Sequence, residues 1–276
     1  MNSTPCRLGR AARRTIAGAV GIVVLAGCDA SPRRDASATA DTGAAVERYQ
    51  PAGDEGLGVS VVIVLDNSGS MREKASGDKR RKFEVAKIAI ERALDATEAA
   101  LTKRPDYPVK VSLISFSDET QTVLEMQPYN RDSVRAAIGR LTRPSGGTAI
   151  GDAMDVARQA LYKAGTFRKV MLVVTDGENT DGRDPADVAR EIFARSDGGV
   201  GMYFVAFDTD KDKFGFLRDV KGDVVSAQNG AALEKSFAWL YEGKVLAEST
   251  AEPSPDVNVL DSVRPGPVKT TPRSPQ

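Results

Sequence analysis

Apolar residues follow two alternating patterns along the chain. Val59–Leu65 and Val170–Val174 are nearly continuous apolar runs, which are typical of strands covered on both faces. Elsewhere, apolar residues recur every three or four positions within Phe83–Leu101, Ile150–Leu161 and Leu233–Tyr241, which predicts amphipathic helices. Strands that alternate with helices predict an α/β domain with a mostly parallel sheet and helices on both faces.

One pair of strands departs from this alternation. Val109–Phe116 is separated from Thr120–Met126 only by a short polar turn, which predicts an antiparallel hairpin. Gly201–Phe207 and Asp223–Ala227 are the remaining predicted strands. Residues that commonly cap helices mark three predicted helix starts: Asn130, Asp184 before Pro185, and Asn229.

Both ends of the chain differ in composition from this domain. Residues 1–27 contain four arginines followed by a short apolar run, the layout of an export signal. Residues 29–57 are dominated by small and polar residues, and the segment from Glu252 to Gln276 carries six prolines, so both are predicted to be flexible. The predicted organisation is a signal peptide at 1–27, a tether at 28–57, the α/β domain at 58–248 and a tail at 249–276.

Composition limits the possible chemistry. Of the 276 residues none is histidine, and the two cysteines, Cys6 and Cys28, both lie near the N-terminus. A nucleophile activated by histidine and a zinc site built on histidine or on four cysteines are therefore excluded, and any metal must be held by oxygen. The 38 basic and 38 acidic residues balance, and removing residues 1–27 leaves a net charge of −4, so nucleic acid is not an expected partner.

Polar residues gather where two predicted strands end. Asp66-Asn-Ser68-Gly-Ser70 follows the first strand, and alternate residues of an extended segment project to the same side. Asp176 follows the strand Val170–Val174, and Thr148, after two glycines, opens a predicted helix. Sheets of this kind bind ligands beyond the carboxyl ends of their strands, so these side chains form the candidate site.

This set resembles the metal-ion-dependent adhesion site of a von Willebrand factor type A domain. The family's Asp-x-Ser-x-Ser corresponds to Asp66, Ser68 and Ser70, its threonine to Thr148 and its later aspartate to Asp176. The resemblance covers residues 58 to about 247 and implies an α/β, doubly wound, six-stranded, mostly parallel sheet with one antiparallel edge strand. It also implies metal-bridged recognition, in which an Asp or Glu of a partner protein replaces a water on the ion.

The chemistry of the five residues agrees with this resemblance. Two carboxylates and three hydroxyls are hard oxygen ligands that suit Mg²⁺, Mn²⁺ or Ca²⁺, with waters completing the coordination. Two aspartates only neutralise a divalent ion, so the ion can still accept an acidic group from outside.

The end of the signal segment carries a second resemblance. Leu25-Ala26-Gly27-Cys28 is similar to the lipobox of bacterial lipoproteins, in which a peptidase cuts before the cysteine and lipid is attached to it. The resemblance implies lipidation of Cys28 and a domain held at the cell membrane, facing the periplasm or the cell exterior. The alternative is an incidental cysteine beside an ordinary signal peptide.

Two other functions are alternatives to metal-bridged binding. A metal-dependent hydrolase would use the same ion as a Lewis acid, but it needs a general base, and in a chain without histidine that base would be a carboxylate such as Glu178. A structural envelope scaffold would have a metal site that binds no partner. The complete five-residue set favours binding, and we expect no enzymatic activity.

Charged segments near the candidate site have ordinary interpretations. Lys79–Lys82 is expected at the solvent-facing start of a helix, with contact to anionic lipid as the alternative. Asp208–Asp212 lacks the glycine of a calcium-binding loop and is expected to be a solvated turn. Other carboxylates near the predicted rim either tune the site or are ordinary surface charge: Asp152, Asp155, Glu178 and Asp181.

Overall fold

The computed structural model describes residues 48–51, 55–141 and 143–247. The predicted signal peptide, the predicted lipidation site Cys28, most of the predicted tether and the predicted tail lie outside these residues. Within the described part of the chain, no helix combines the length and the apolar character needed to cross a bilayer.

A six-stranded sheet forms the centre of the domain. Its strands are β1 (Gly56–Asp66), β2 (Val109–Phe116), β3 (Thr120–Pro128), β4 (Thr166–Thr175), β5 (Val200–Phe207) and β6 (Asp223–Ala227). The strand order is β3-β2-β1-β4-β5-β6, and every neighbouring pair is parallel except β2 and β3. The predicted α/β fold class with one antiparallel edge strand is confirmed.

Helices cover both faces of the sheet. The α-helices are α1 (Lys82–Lys103), α2 (Arg131–Arg140), α3 (Ile150–Tyr162), α4 (Pro185–Ser196) and α5 (Gly230–Leu240). Two 3-10 helices and one short π-helix complete the described elements: Gly69–Arg72, Lys211–Val220 and Tyr241–Leu246. The predicted helix caps are confirmed, because the side chains of Asn130, Asp184 and Asn229 each accept a backbone N–H of the first turn.

The sheet divides the hydrophobic core into two layers. Along β1, Ile63 and Leu65 pack in the layer of α1, α2 and α5, whereas Val62 and Val64 pack in the layer of α3 and α4. All four side chains are almost completely buried. A strand covered on both faces needs apolar residues at consecutive positions, which explains why β1 appears in the sequence as a continuous apolar run.

β4 begins at Thr166, before the apolar run from which it was predicted. Polar residues extend the strand because their side chains are paired. The hydroxyl oxygens of Thr166 and Ser60 are 2.7 Å apart, and the Lys169 ammonium forms an ion pair with Glu55. Buried polar residues are tolerated inside a sheet when they are paired in this way, and hydropathy alone does not reveal the partners.

Tyr49 and Glu55 belong to the segment predicted as a tether. They contact the sheet at the amino-terminal ends of β1 and β4, which we call its amino edge; the opposite ends of these strands form the carboxyl edge. The ring of Tyr49 stacks on that of Tyr162 with 4.1 Å between centroids. Its hydroxyl donates to Glu55 Oε1 and is also 2.9 Å from the carbonyl oxygen of Tyr162. We call Tyr49, Glu55, Tyr162 and Lys169 the amino-edge cluster.

Candidate metal centre

The carboxyl ends of β1 and β4 lie side by side at the centre of the sheet. Leu65 pairs with Val174 in the parallel register, so Asp66 at the end of β1 and Asp176 directly after β4 follow adjacent strands. The chain reaches β2 on one side of β1 and β4 on the other, and such a switch point opens a crevice where α/β sheets bind ligands. Both aspartates are buried there.

Hydrogen bonds link four of the five predicted ligands. The backbone N–H of Ser68 donates to Asp66 Oδ1 at 2.7 Å, and the hydroxyl oxygens of Ser68 and Ser70 are 3.0 Å apart. Ser70 Oγ donates to Asp176 Oδ1 at 2.7 Å. Two carboxylates and two hydroxyls therefore converge in one place.

Thr148 reaches the same edge of the sheet on the loop before α3. Two backbone hydrogen bonds tie this loop to the segment after β1: Ser145 N–H donates to Asn67 O at 2.9 Å, and Gly69 N–H donates to Gly146 O at 3.0 Å. Gly146 has a φ of 79°, a left-handed conformation that favours glycine. The Thr148 side chain is buried at this edge, and its role as a ligand stays a prediction.

The loop after β4 holds Thr148 from the other side. The backbone N–H of Thr148 lies 2.9 Å from Thr180 Oγ1 and 3.2 Å from Asp181 Oδ2, and Thr180 N–H donates back to Thr148 O at 2.9 Å. A Cβ on Gly147 would lie 1.8 Å from Asp181 Oδ2, so a side chain at this position would displace the Asp181 carboxylate. Asp181, whose role the sequence does not decide, therefore supports the backbone of Thr148.

Thr175 is a residue of the site that the sequence analysis does not single out. Its Oγ1 donates to Asp66 Oδ2 at 2.6 Å, so each oxygen of Asp66 accepts a hydrogen bond. Burial raises the pKa of Asp66 to about 6; the hydrogen bonds from Ser68 and Thr175 oppose this rise, and the charge of Asp176 adds to it. The protein alone thus compensates the charge of Asp66 only in part.

Lys82 is the second residue missing from the predicted site. The prediction that Lys79–Lys82 faces solvent is wrong for Lys82, whose side chain is 7% exposed. Its Nζ lies 2.9 Å from Asp176 Oδ2, 3.5 Å from Asp208 Oδ2 and 3.7 Å from Glu73 Oε2. Burial disfavours the charge of Lys82, but the three carboxylates together raise its pKa above the ordinary value.

Helical periodicity places Lys82 on the buried face of α1. At helical spacing Lys82 shares a face with Val85, Ala86 and Ala89, and all four residues are buried. The residues next to Asp208 do not indicate that it belongs to the site, because this segment has the sequence of a solvated turn. Asp208 follows β5, and the pairing of β5 with β4 brings it to the site.

The donor set fits a hard divalent cation. Across residues 48–51, 55–141 and 143–247, no group of three or more His, Cys, Asp or Glu side chains is arranged to hold a metal, so the hydroxyls of Ser68 and Ser70 would have to contribute. Carboxylate and hydroxyl oxygens suit Mg²⁺, Mn²⁺ or Ca²⁺. The two buried carboxylates, Asp66 and Asp176, outnumber the ammonium of Lys82, and a divalent ion would offset the excess negative charge.

Comparison with known proteins establishes the family. The model of the von Willebrand factor type A domain matches residues 60–235, which is more than half of the chain and includes all five predicted ligands. The protein therefore belongs to the von Willebrand factor type A family. Domains of this family mediate protein–protein interactions and commonly bind a divalent metal ion.

The individual relatives are distant. Human matrilin-3 is 28% identical over 192 residues, which are 64% of this chain but only 36% of matrilin-3. The Bacillus subtilis protein YwmD is 26% identical over 193 residues, 66% of this chain and 78% of YwmD. The structure of an aerotolerance-related membrane protein from Bacteroides fragilis has the same fold, with a TM-score of 0.51 and 21% identity over 67% of this chain and 100% of that chain.

Proposed function

We propose that this protein binds a protein partner through a divalent ion held at a metal-ion-dependent adhesion site. Mg²⁺ is the first choice, with Mn²⁺ or Ca²⁺ as alternatives, and the proposed ligands are Asp66, Ser68, Ser70, Thr148 and Asp176. An aspartate or glutamate of the partner would complete the coordination. The observation that carries the proposal is the hydrogen-bonded chain from Asp66 through both serines to Asp176, in a place where carboxylates outnumber ammonium groups.

Neighbouring hydroxyls orient both carboxylates. Thr175 donates to Asp66 Oδ2, and Ser70 donates to Asp176 Oδ1. Oriented ligands bind a metal at a lower cost in conformational entropy. The bound ion would supply a Lewis-acid contact, and because two aspartates only neutralise its charge, it would retain affinity for a carboxylate of the partner.

Binding, rather than catalysis, is the role we assign to this site. A hydrolase would need a general base next to the metal-bound water. Glu178, the carboxylate considered for that task, is exposed and lies 3.1 Å from the ammonium of Lys213. This ion pair favours an ordinary surface role for Glu178.

Attachment to the bacterial cell envelope completes the proposal. Residues 1–27 would direct export, Cys28 would carry the lipid, and the segment between Cys28 and Tyr49 would connect the anchor to the domain. The similarity of fold to a membrane protein of Bacteroides fragilis supports this location.

The proposal predicts a metal-dependent gain in stability that requires Asp66. The midpoint of thermal unfolding should rise when chelator is replaced by millimolar Mg²⁺ or Mn²⁺, because an ion that binds only the native state stabilises it. The rise should vanish in Asp66→Ala. Glu119→Gln changes an exposed carboxylate in the β2–β3 turn at the same edge of the sheet and should keep the full rise. An equal rise in Asp66→Ala would contradict the proposed site.

A short peptide tests the proposed recognition of a partner's carboxylate by the ion. Protein loaded with Mn²⁺ is titrated by calorimetry with a short peptide containing glutamate, and the same peptide with glutamine is the control. We expect binding of the glutamate peptide in Mn²⁺ and no binding in chelator. Equal binding of both peptides would contradict carboxylate recognition by the ion.

A further inference from the structure

We propose that Lys82 is a built-in counter-cation, which lowers the affinity of the metal site and stabilises the domain when no ion is bound. The proposal rests on the metal-binding role proposed above and concerns how tightly the ion is held. Lys82 is the first residue of α1, so a helix of the core presents its side chain to the site.

The carboxylate of Asp176 is shared between two partners. Oδ1 accepts the hydroxyl of Ser70 at 2.7 Å, whereas Oδ2 lies 2.9 Å from Lys82 Nζ. The side chain of Asp176 is 0% exposed, so water does not compensate its charge. Lys82 supplies that compensation in the absence of an ion, because a buried carboxylate without a partner is strongly destabilising.

The ammonium of Lys82 is held from three directions. Besides Asp176 after β4, it faces Asp208 after β5 at 3.5 Å and Glu73 after the first 3-10 helix at 3.7 Å. A positive charge fixed beside a cation site repels the ion, and this repulsion is stronger in a buried site than in water. The ion therefore binds more weakly than the carboxylates and hydroxyls alone would allow.

Removing the charge of Lys82 separates its two effects. Lys82→Met keeps an unbranched apolar side chain, and Ser70 still orients Asp176 through Oδ1. We expect a lower midpoint of thermal unfolding in chelator and a Kd for Mg²⁺ that falls about tenfold. Lys82→Arg keeps the positive charge and should keep a Kd close to that of the wild type.

Lys169→Met is the matched control. Among the residues that the structure describes, Lys169 is the other buried lysine with a carboxylate partner: its side chain is 4% exposed and pairs with Glu55 at the opposite edge of the sheet. This variant should also lower the unfolding midpoint in chelator, but its Kd for Mg²⁺ should equal that of the wild type. It distinguishes a general loss of stability from an effect on the metal site.

The Kd for Mg²⁺ is measured by calorimetric titration of the wild type and the variants. Tighter binding by Lys82→Met than by wild type and Lys82→Arg supports the proposal, and unchanged or weaker binding overturns it. Lys82→Gln, which retains a hydrogen-bond donor for Asp176, should show the same tightening if Lys82→Met does not fold. Binding by Lys82→Met alone would support the counter-cation while contradicting the proposed function of the wild type. Absence of binding in every variant would contradict both.

Discussion

A lysine is buried beside a carboxylate at each end of the central strands β1 and β4, that is, at the amino edge and at the carboxyl edge of the sheet. The charges around the two lysines differ. Where β1 and β4 begin, Lys169 pairs with Glu55, and its ammonium lies 5.2 Å from the centroid of the Tyr49 ring. Where the same strands end, Lys82 faces Asp176 and two further carboxylates. Asp66 is linked to Asp176 through the backbone N–H of Ser68 and the two serine hydroxyls.

This difference shows which buried charges indicate a function. Within the amino-edge cluster one ammonium meets one carboxylate, so the charges balance. At the carboxyl edge the buried carboxylates of Asp66 and Asp176 outnumber the ammonium of Lys82. Burial raises the pKa of Asp66, and the charge of Asp176 adds to that rise. A buried ion pair is therefore no sign of a binding site by itself. The excess of buried carboxylate is the feature on which the proposed cation site rests.

The largest expected effect comes from breaking the balanced pair. Lys169→Met leaves Glu55 without its cation, and we expect the free energy of unfolding in chelator to fall by about 4 kcal/mol. Adding Glu55→Leu removes both charges and should restore the wild-type value to within about 1 kcal/mol, because apolar residues can replace a buried pair at little cost. Urea unfolding measures both variants. A double variant as unstable as Lys169→Met would show that this edge needs its charges.

The free energy of unfolding should depend on pH through Asp66, which lies at the carboxyl edge. The pKa of Asp66 is raised from 3.8 to about 6, so the folded chain binds this proton more tightly than the unfolded chain. The resulting stabilisation is fully present below about pH 4 and is lost as the pH rises through about 6, a change of about 3 kcal/mol. Asp66→Asn lacks this titration.

The measurement is the free energy of unfolding in chelator at several pH values, for wild type and Asp66→Asn. The wild type should lose stability relative to Asp66→Asn as the pH is raised across this range. Parallel curves for the two proteins would mean that the charge of Asp66 is already compensated, and the contrast between the two edges would fail.

The smallest expected effect comes from a comparison of Thr175 and Thr166, which lie at the two ends of β4. Thr175→Val at the end of β4 removes the hydroxyl that donates to Asp66, and we expect a loss of about 2 kcal/mol in chelator together with a smaller metal-induced rise in the unfolding midpoint. Thr166→Val at the start of β4 removes the hydroxyl partner of Ser60. It should cost about 1 kcal/mol and leave the metal-induced rise unchanged. An equal loss of the rise in both variants would argue against a local role for Thr175.

Local sequence patterns predict most of the fold. The apolar runs place the strands, and the antiparallel pairing of β2 with β3 follows from the short polar turn between them. Asn130, Asp184 and Asn229 mark helix starts because a cap needs only a side chain and the adjacent backbone. The start of β4 is predicted too late because Thr166 and Lys169, which precede the apolar run, are polar and depend on partners in other segments.

The sequence by itself determined the family and the alternation of strands and helices, and it predicted five ligands, because each of these depends on residue types within short local motifs. Only the tertiary structure decided that Thr175 and Lys82 belong to the site, that Asp208 faces Lys82, and that Asp181 supports Thr148. Hydrogen bonds and ion pairs between these residues join segments far apart in the chain. Their geometry follows from strand order and register, which local patterns do not contain.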